Sequence, residues 1–347
     1  MKVITFFNNK GGVGKTTTIV NIGGYLSLKK NKKILLVDLD PQSNATQAIM
    51  PMDSWQEFYC INGKSTKATI SNCFEKIRDG DADLQRIDIP CEAKDNAFNL
   101  DLIPGHPSLS LIEEVMSQAW SETIGCQRGG LRKVNWLNSL KDFYPDYDYI
   151  LIDVGPSLGA LNRSALLNTD YFITPMASDI FSLLGVSNIS QWLDLWMRVY
   201  EQAIKNFRIS ESNAPSDLEK FFKKFKINVD TSKTTRFIGY SIQQYAKRTF
   251  KSGERPTSAY EAIIKNFHSI VPDRLKNFIK EGVENDDLKL GDIPYVYSVV
   301  PLSQTSSRPI FELSYSDGLR GGQSLSVEKY SQYLNLIVEN LIKNAEA

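Results

Sequence analysis

The sequence has little with which to hold a soft metal or staple a fold: four cysteines and two histidines in 347 residues. Cys60, Cys73, Cys91 and Cys126 are widely spaced and form no CxxC pair, and only His106 and His268 could join them, so a zinc site is not expected. The same pattern reads as reduced, mostly structural thiols of a cytoplasmic protein. No apolar run approaches the roughly 18 residues of a membrane span. The N-terminal MKVITFFNN leads straight into a glycine loop and reads as a buried strand, not a secretory signal. Net charge is also lacking, because 40 basic and 40 acidic side chains cancel. No bulk field therefore argues for nucleic acid or an anionic membrane, and such a partner would have to be met by a local patch.

What is present is a 42% hydrophobic chain, long enough to bury a sizeable core. Strand-like apolar runs alternate with helical patterns, the signature of an α/β fold with a doubly wound, mostly parallel sheet and helices on both faces. The strand candidates are residues 3–7, 33–38, 99–103, 149–153, 171–175, 237–242 and 296–300, with a first helix over about 16–29. Gly23 and Gly24 inside that helix cost about 1 kcal/mol each against alanine, which points to close packing there. A single domain over 1–347 is expected, interrupted at about 51–97 and about 205–235. The first interruption has a helical segment near 68–77; between Glu75 and Asp101 it carries eight acidic and four basic residues. The second carries LEKFFKKFKI, an amphipathic basic helix, and between Glu201 and Arg255 there are twelve basic and six acidic residues. Neutrality of the whole thus hides an asymmetry of sign.

The most informative stretch is NNKGGVGKTTT, residues 8–18. A glycine-rich loop between a buried strand and a helix turns backbone N–H groups toward phosphate at the positive end of the helix dipole. Gly11, Gly12, Val13 and Gly14 make that loop, Lys15 reaches the β- and γ-phosphates, and the Thr16 hydroxyl can ligate Mg²⁺. Carboxylates at strand ends beside such a loop complete a Mg-nucleotide site, usually through water. VDLDPQSNAT supplies Asp38 and Asp40, and ILIDVGPS supplies Asp153.

KGGVGKTT, VDLDPQSNAT and ILIDVGPSLGALNRSALLNTDYFITP resemble the three motifs of the ParA/MinD class of deviant Walker P-loop ATPases, and most closely the ParA branch that partitions plasmids and chromosomes. Asp-Val-Gly-Pro stands where many relatives have two prolines, leaving Asp153 and Pro156 in register. The resemblance implies ATP and Mg²⁺ as cofactors and ATP hydrolysis as the activity. Lys15 would bind the β- and γ-phosphates, Thr16 the metal and Thr17 a neighbouring phosphate. Asp38 and Asp153 would hold metal-bound waters, and Asp40 would orient the attacking water. Pro301 and its neighbours stand where adenine contacts are expected. Lys10 matches the family's additional lysine, which reaches across a nucleotide-sandwich dimer. Physics agrees with that role: ammonium groups about 4 Å apart repel by roughly 4 kcal/mol at an effective dielectric near 20, so converging lysines need polyphosphate between them.

The family further implies a homodimer that binds DNA without sequence preference, associates with the nucleoid when ATP-bound, and is stimulated by a ParB-like or cargo-adaptor protein. Lys247, Arg248 and Lys251 in YAKRTFKSGER are the candidate DNA contacts, with Arg320 weaker. The glycine loop begins too early for a preceding helix-turn-helix. Two alternatives share the loop. A MinD-like membrane-surface ATPase would use a basic amphipathic C-terminal helix. The tail SVEKYSQYLNLIVENLIKNAEA is amphipathic through Tyr330, Leu334, Ile337, Val338 and Leu341, yet closes on glutamate and reads better as packed on the sheet. A metabolic P-loop ligase is the other, and no substrate pocket for one is legible. An iron–sulfur electron-transfer ATPase would need a cysteine soon after Asp153, and DVGPSLGAL has none.

Overall fold

The computed structural model describes residues 1–59, 66–243, 247–250, 253–256, 258–293 and 298–347. Nine strands are described: β1 Lys2–Phe6, β2 Ile34–Asp38, β3 Asp101–Ile103, β4 Tyr149–Asp153, β5 Tyr171–Ala177, β6 Arg236–Gln243, β7 Lys247–Phe250, β8 Gly253–Pro256 and β9 Lys289–Ile293. Seven form one sheet in the order β3-β2-β4-β1-β5-β6-β9, and every pairing in it is parallel. β7 and β8 form a separate antiparallel hairpin. The central strands read as near-continuous apolar runs because both faces of a parallel sheet are covered; in β2 and β4 every residue is buried.

The first half of the chain contributes helices α1 Lys15–Lys30, α2 Asn44–Ile49, α3 Trp55–Phe58, α4 Ile70–Cys73, α5 Glu75–Arg78, α6 Leu109–Ile124, α7 Arg128–Val134, α8 Trp136–Phe143 and α9 Ala160–Asn168. The second half adds α10 Ile180–Ser210, α11 Pro215–Lys224, α12 Ser258–Leu275, α13 Val300–Ser306 and α14 Gln323–Glu346. Two apolar cores lie on the two faces of the sheet, one built with α6, α8, α9 and α10, the other with α1 and α14. The doubly wound class expected from the alternation of elements is therefore the observed one.

Packing explains the glycines of α1. A Cβ on Gly23 would stand 3.0 Å from Leu100 Cδ2, and one on Gly24 3.0 Å from Phe98 Cδ1. The tail packs as its pattern indicates: Tyr330, Leu334, Ile337, Val338 and Leu341 of α14 are all buried against α1, β6 and β9. Phe221 and Phe222 of α11 are buried in the opposite core, with Phe225 partly buried beside them.

Two expectations need correction. The segment 68–77 is not one helix but α4 and α5, divided at Phe74. The last strand is Lys289–Ile293 rather than 296–300; of the latter, 296–297 lie outside the described residues and Val300 opens α13. The aromatic and β-branched run YVYSVV has the stronger strand propensity. The described strand is KLGDI, in which Gly291 lets α14 come close: a Cβ there would meet Ile337 Cγ1 at 2.7 Å. Among the described residues Cys73, Cys91 and Cys126 are free, and burial pushes the thiols of Cys73 and Cys91 up to about 12 and about 11. No described helix is long and apolar enough to cross a membrane.

Candidate functional site

The site is built at the carboxyl ends of β1, β2 and β4, where an open parallel sheet places its ligands. Asp38 and Asp153 end adjacent strands and are paired in register, and Phe6, the last residue of β1, is paired with Asp153 on its other side. The chain leaving β1 enters the glycine loop, in which Gly12 and Gly14 take φ of +72° and +77°. Such left-handed geometry is strained for other residues. Gly14 is the N-cap of α1; it provides no side-chain cap, and the first turn has no acidic residue. The first amides of α1 are thereby left to an external anion.

Thr16 Oγ1 donates to Asp153 Oδ2 at 2.8 Å. Asp38 Oδ2 accepts from the Thr46 amide (2.8 Å) and Oγ1 (2.7 Å), and its Oδ1 from the Asp40 amide (3.2 Å). Asp40 Oδ1 accepts from the Gln42 amide at 2.9 Å, and Asp40 faces the β4–α9 loop so closely that a Cβ on Gly155 would be 3.2 Å from it. Lys15 is 8% exposed, and its Nζ donates to the Lys10 carbonyl at 3.4 Å.

Crowding these charges out of water shifts their protonation equilibria. Burial pushes Asp38 up to about 6, against the lowering effect of the Thr46 hydrogen bonds. Burial and the charge of Asp38 raise Asp153 well above its ordinary range despite Thr16 and Lys15. Burial lowers Lys15, countered by Asp153 and Asp40. Asp153 Oδ1 is buried with no hydrogen-bond partner. A cation beside the two carboxylates would favour their charged forms, and phosphate would favour that of Lys15. Among the described residues no three His, Cys, Asp or Glu side chains could hold a metal by themselves. The donors instead suit Mg²⁺, which keeps waters and takes few protein ligands: Thr16 Oγ1 would be the direct ligand, and Asp38 and Asp153 would hold waters.

A cavity of about 680 Å³ runs from this cluster, lined by Gly11, Gly12, Gly14, Lys15, Thr16, Thr17 and Asp40. Met50, Met52 and Trp55 line the same cavity, as do Val300, Ser303, Gln304, Thr305 and Ser307. Pro301 is absent from the lining: it sits exposed in the first turn of α13, and its neighbours face the cavity in its place. Val13 is buried beneath the loop.

Lys10 is placed apart from Lys15. Its Nζ pairs with Asp179 Oδ2 and lies 6.0 Å from the Phe181 ring centroid. Asp179 is also the N-cap of α10, accepting from the Ser182 amide at 2.9 Å. Three participants escaped the sequence reading. Asp179 was signalled only by an N-cap residue before an apolar run. Glu113 of α6 accepts the Leu161 amide at 3.0 Å and also that of Ala160, holding the start of α9; no local signal announces it. Trp55 lay in a stretch read as an interruption. Of the candidate DNA contacts, Lys247 and Arg248 are in β7, and Lys251 lies outside the described residues.

A family model for an "AAA domain" matches residues 1–207. The chain belongs to the ParA/MinD-type P-loop ATPase family. Its similarity to the sporulation initiation inhibitor protein Soj of Bacillus subtilis is 35% identity over 188 residues, 54% of this chain and 63% of Soj. With the chromosome partitioning protein ParA of Myxococcus xanthus it is 30% over 196 residues, 56% and 58% of the two chains. The alignments thus span about three fifths of these relatives. Over nearly full length the fold matches protein DIP2308 of Corynebacterium diphtheriae, with TM-score 0.75, 28% identity and 99% of both chains covered. Apo McdA of Cyanothece shares the fold at TM-score 0.57 and 16% identity, over 98% of this chain and 99% of McdA.

Proposed function

We propose that this ParA/MinD-type protein is an ATP-dependent dimeric switch of the ParA kind. It binds ATP with Mg²⁺, pairs with a second copy, binds DNA without sequence preference, and partitions or positions a plasmid, chromosome or other cargo. Hydrolysis is slow until a ParB-like or adaptor partner accelerates it. Lys15 and the amides of the glycine loop hold the phosphates, and Asp40, at the open end of the cluster, orients the attacking water. Mg²⁺ would neutralise charge developing on the phosphates. The protein is cytoplasmic and nucleoid-associated when ATP-bound.

The observation that carries the dimer is the setting of Lys10. Beside it α10 exposes Ile180 (53%), Phe181 (68%) and Leu184 (56%) on one face. An apolar patch at the mouth of a polar site is a surface expecting a partner, and a second copy covering it would bring its own Lys10 to the phosphates. Membrane attachment through α14 has no such support, because that helix spends its apolar face on the core. The DNA contacts proposed are Lys247, Arg248 and Lys251.

A mobility shift with unrelated DNA in ATP, ADP or no nucleotide, over a salt series, tests the reading. Binding with ATP alone, falling steeply with salt, is expected. A shift independent of ATP would contradict the switch, and no shift would remove DNA as the partner. Light scattering of Asp40→Ala with ATP should give a dimer that Phe181→Ser abolishes.

A further inference from the structure

We infer that Trp55 and Met52, in the first interruption of the fold, form the wall on which the purine base of the bound nucleoside triphosphate stacks. The inference rests on the ATP-binding reading and extends it to a segment that the sequence marks only as an interruption.

The glycine loop, Met52 and Trp55 line one cavity, so a nucleotide anchored by its phosphates at Lys15 would have its base within reach of the two side chains. The size, about 680 Å³, falls in the range that buries a ligand of this kind. Met52 is 73% exposed, a large apolar side chain with little over it. Trp55 is half-buried and packs against the core behind it. Its indole Nε1 donates to the Met50 carbonyl at 3.2 Å, so its polar atom is already used and ring and edge are what remain for a ligand.

The same cavity is lined by α13. Ser307 Oγ, at its end, donates to the same Met50 carbonyl at 3.2 Å, which ties α13 to the Trp55 segment. The segment is anchored at its other end as well. Tyr59 donates to the Gly105 carbonyl at 2.6 Å, the Gly105 amide donates to Thr46 Oγ1 at 2.9 Å, and Thr46 holds Asp38. A flat, preorganised apolar surface with its polar atoms satisfied recognises a base by stacking, which is tolerant of base edges. The interruption thus spans the nucleotide from its base to the carboxylates of the metal side.

Calorimetry with Mg·AMPPNP, and with tripolyphosphate as a competitor that lacks base and sugar, tests this. Trp55→Ala should weaken AMPPNP about 10-fold and leave tripolyphosphate unchanged, and Trp55→Phe should recover most of the loss. Met52→Ala should move AMPPNP in the same direction by less. Unchanged AMPPNP affinity in Trp55→Ala, or a parallel loss of tripolyphosphate, overturns the inference. If the unaltered protein binds tripolyphosphate as tightly as AMPPNP, the base has no wall and only this inference fails. If it binds neither, the ATP-binding reading itself fails.

Discussion

Asp38, Asp40 and Asp153 crowd the ends of two strands with Lys15 as the buried cation beside them, and burying these charges together carries a cost. Lys15→Ala should abolish nucleotide binding in calorimetry, weakening it at least ~100-fold, since the loop loses its one buried charge toward the phosphates. The carboxyls make a prediction with a sign. Asp38 is raised from 3.8 to about 6, and Asp153 is raised too, so the folded chain holds these protons more tightly than the unfolded chain does. Their contribution to stability is therefore present below about pH 4 and lost as pH rises toward and past about 6. Asp153→Asn keeps an acceptor for Thr16 and removes a buried charge. Without nucleotide at pH 7, its melting temperature should rise by about 2–4 °C with a flatter pH profile, and Mg²⁺ should no longer improve its nucleotide affinity. An unchanged midpoint would mean that burying this carboxylate costs the fold little.

At the scale of elements, α10 links the site's parts. Its N-cap holds Lys10, and Trp192 Nε1 donates to the Leu158 carbonyl in the β4–α9 loop at 3.1 Å. Asp179→Asn retains an acceptor for the Ser182 amide while breaking the ion pair, so Lys10 is freed without uncapping the helix. Ultracentrifugation should then show ATP-dependent association at lower protein concentration than in the parent. A shift to higher concentration would mean that Asp179 orients Lys10 for the partner. The insertion helix α11 is part of the core: Phe222→Ala should cost about 3 kcal/mol in urea unfolding, as a buried aromatic does, and a loss under ~1 kcal/mol would mean that α11 is not docked.

These elements also show what the sequence could and could not disclose. β2, β4 and α1 were legible because phosphate chemistry fixes Gly14, Lys15, Thr16, Asp38 and Asp153 at short local spacings beside apolar runs. β9 was missed because the reason for KLGDI, the approach of Ile337 to Gly291, is a contact made elsewhere in the fold. The partner of Lys10 was hidden for the same reason, lying 169 residues away in the chain. Trp55 was passed over because its neighbours across the cavity belong to α13.

At the scale of the whole molecule, a neutral chain is divided into a more acidic first interruption and a more basic stretch through α11 and the β7–β8 hairpin. The cavity is lined by residues of the glycine loop, by Met52 and Trp55, and by α13 near the end of the chain, so distant parts of the sequence meet there. The apolar rim of α10 surrounds the one lysine that a generic phosphate loop does not need. The central claim is that Lys10 acts on the nucleotide of a second subunit, and mixing two inactive variants tests it most directly. Lys10→Gln lacks the lysine for its partner's site, and Asp40→Ala lacks the water-orienting carboxylate in its own. Each alone should hydrolyse ATP at a small fraction of the parental rate. Mixed in equal amounts, they form heterodimers in which the Lys10→Gln subunit keeps Asp40 and receives Lys10 from its partner, restoring roughly a quarter of parental activity. If the mixture remains as inactive as its components, Lys10 works within its own subunit or not at all, and the account is contradicted.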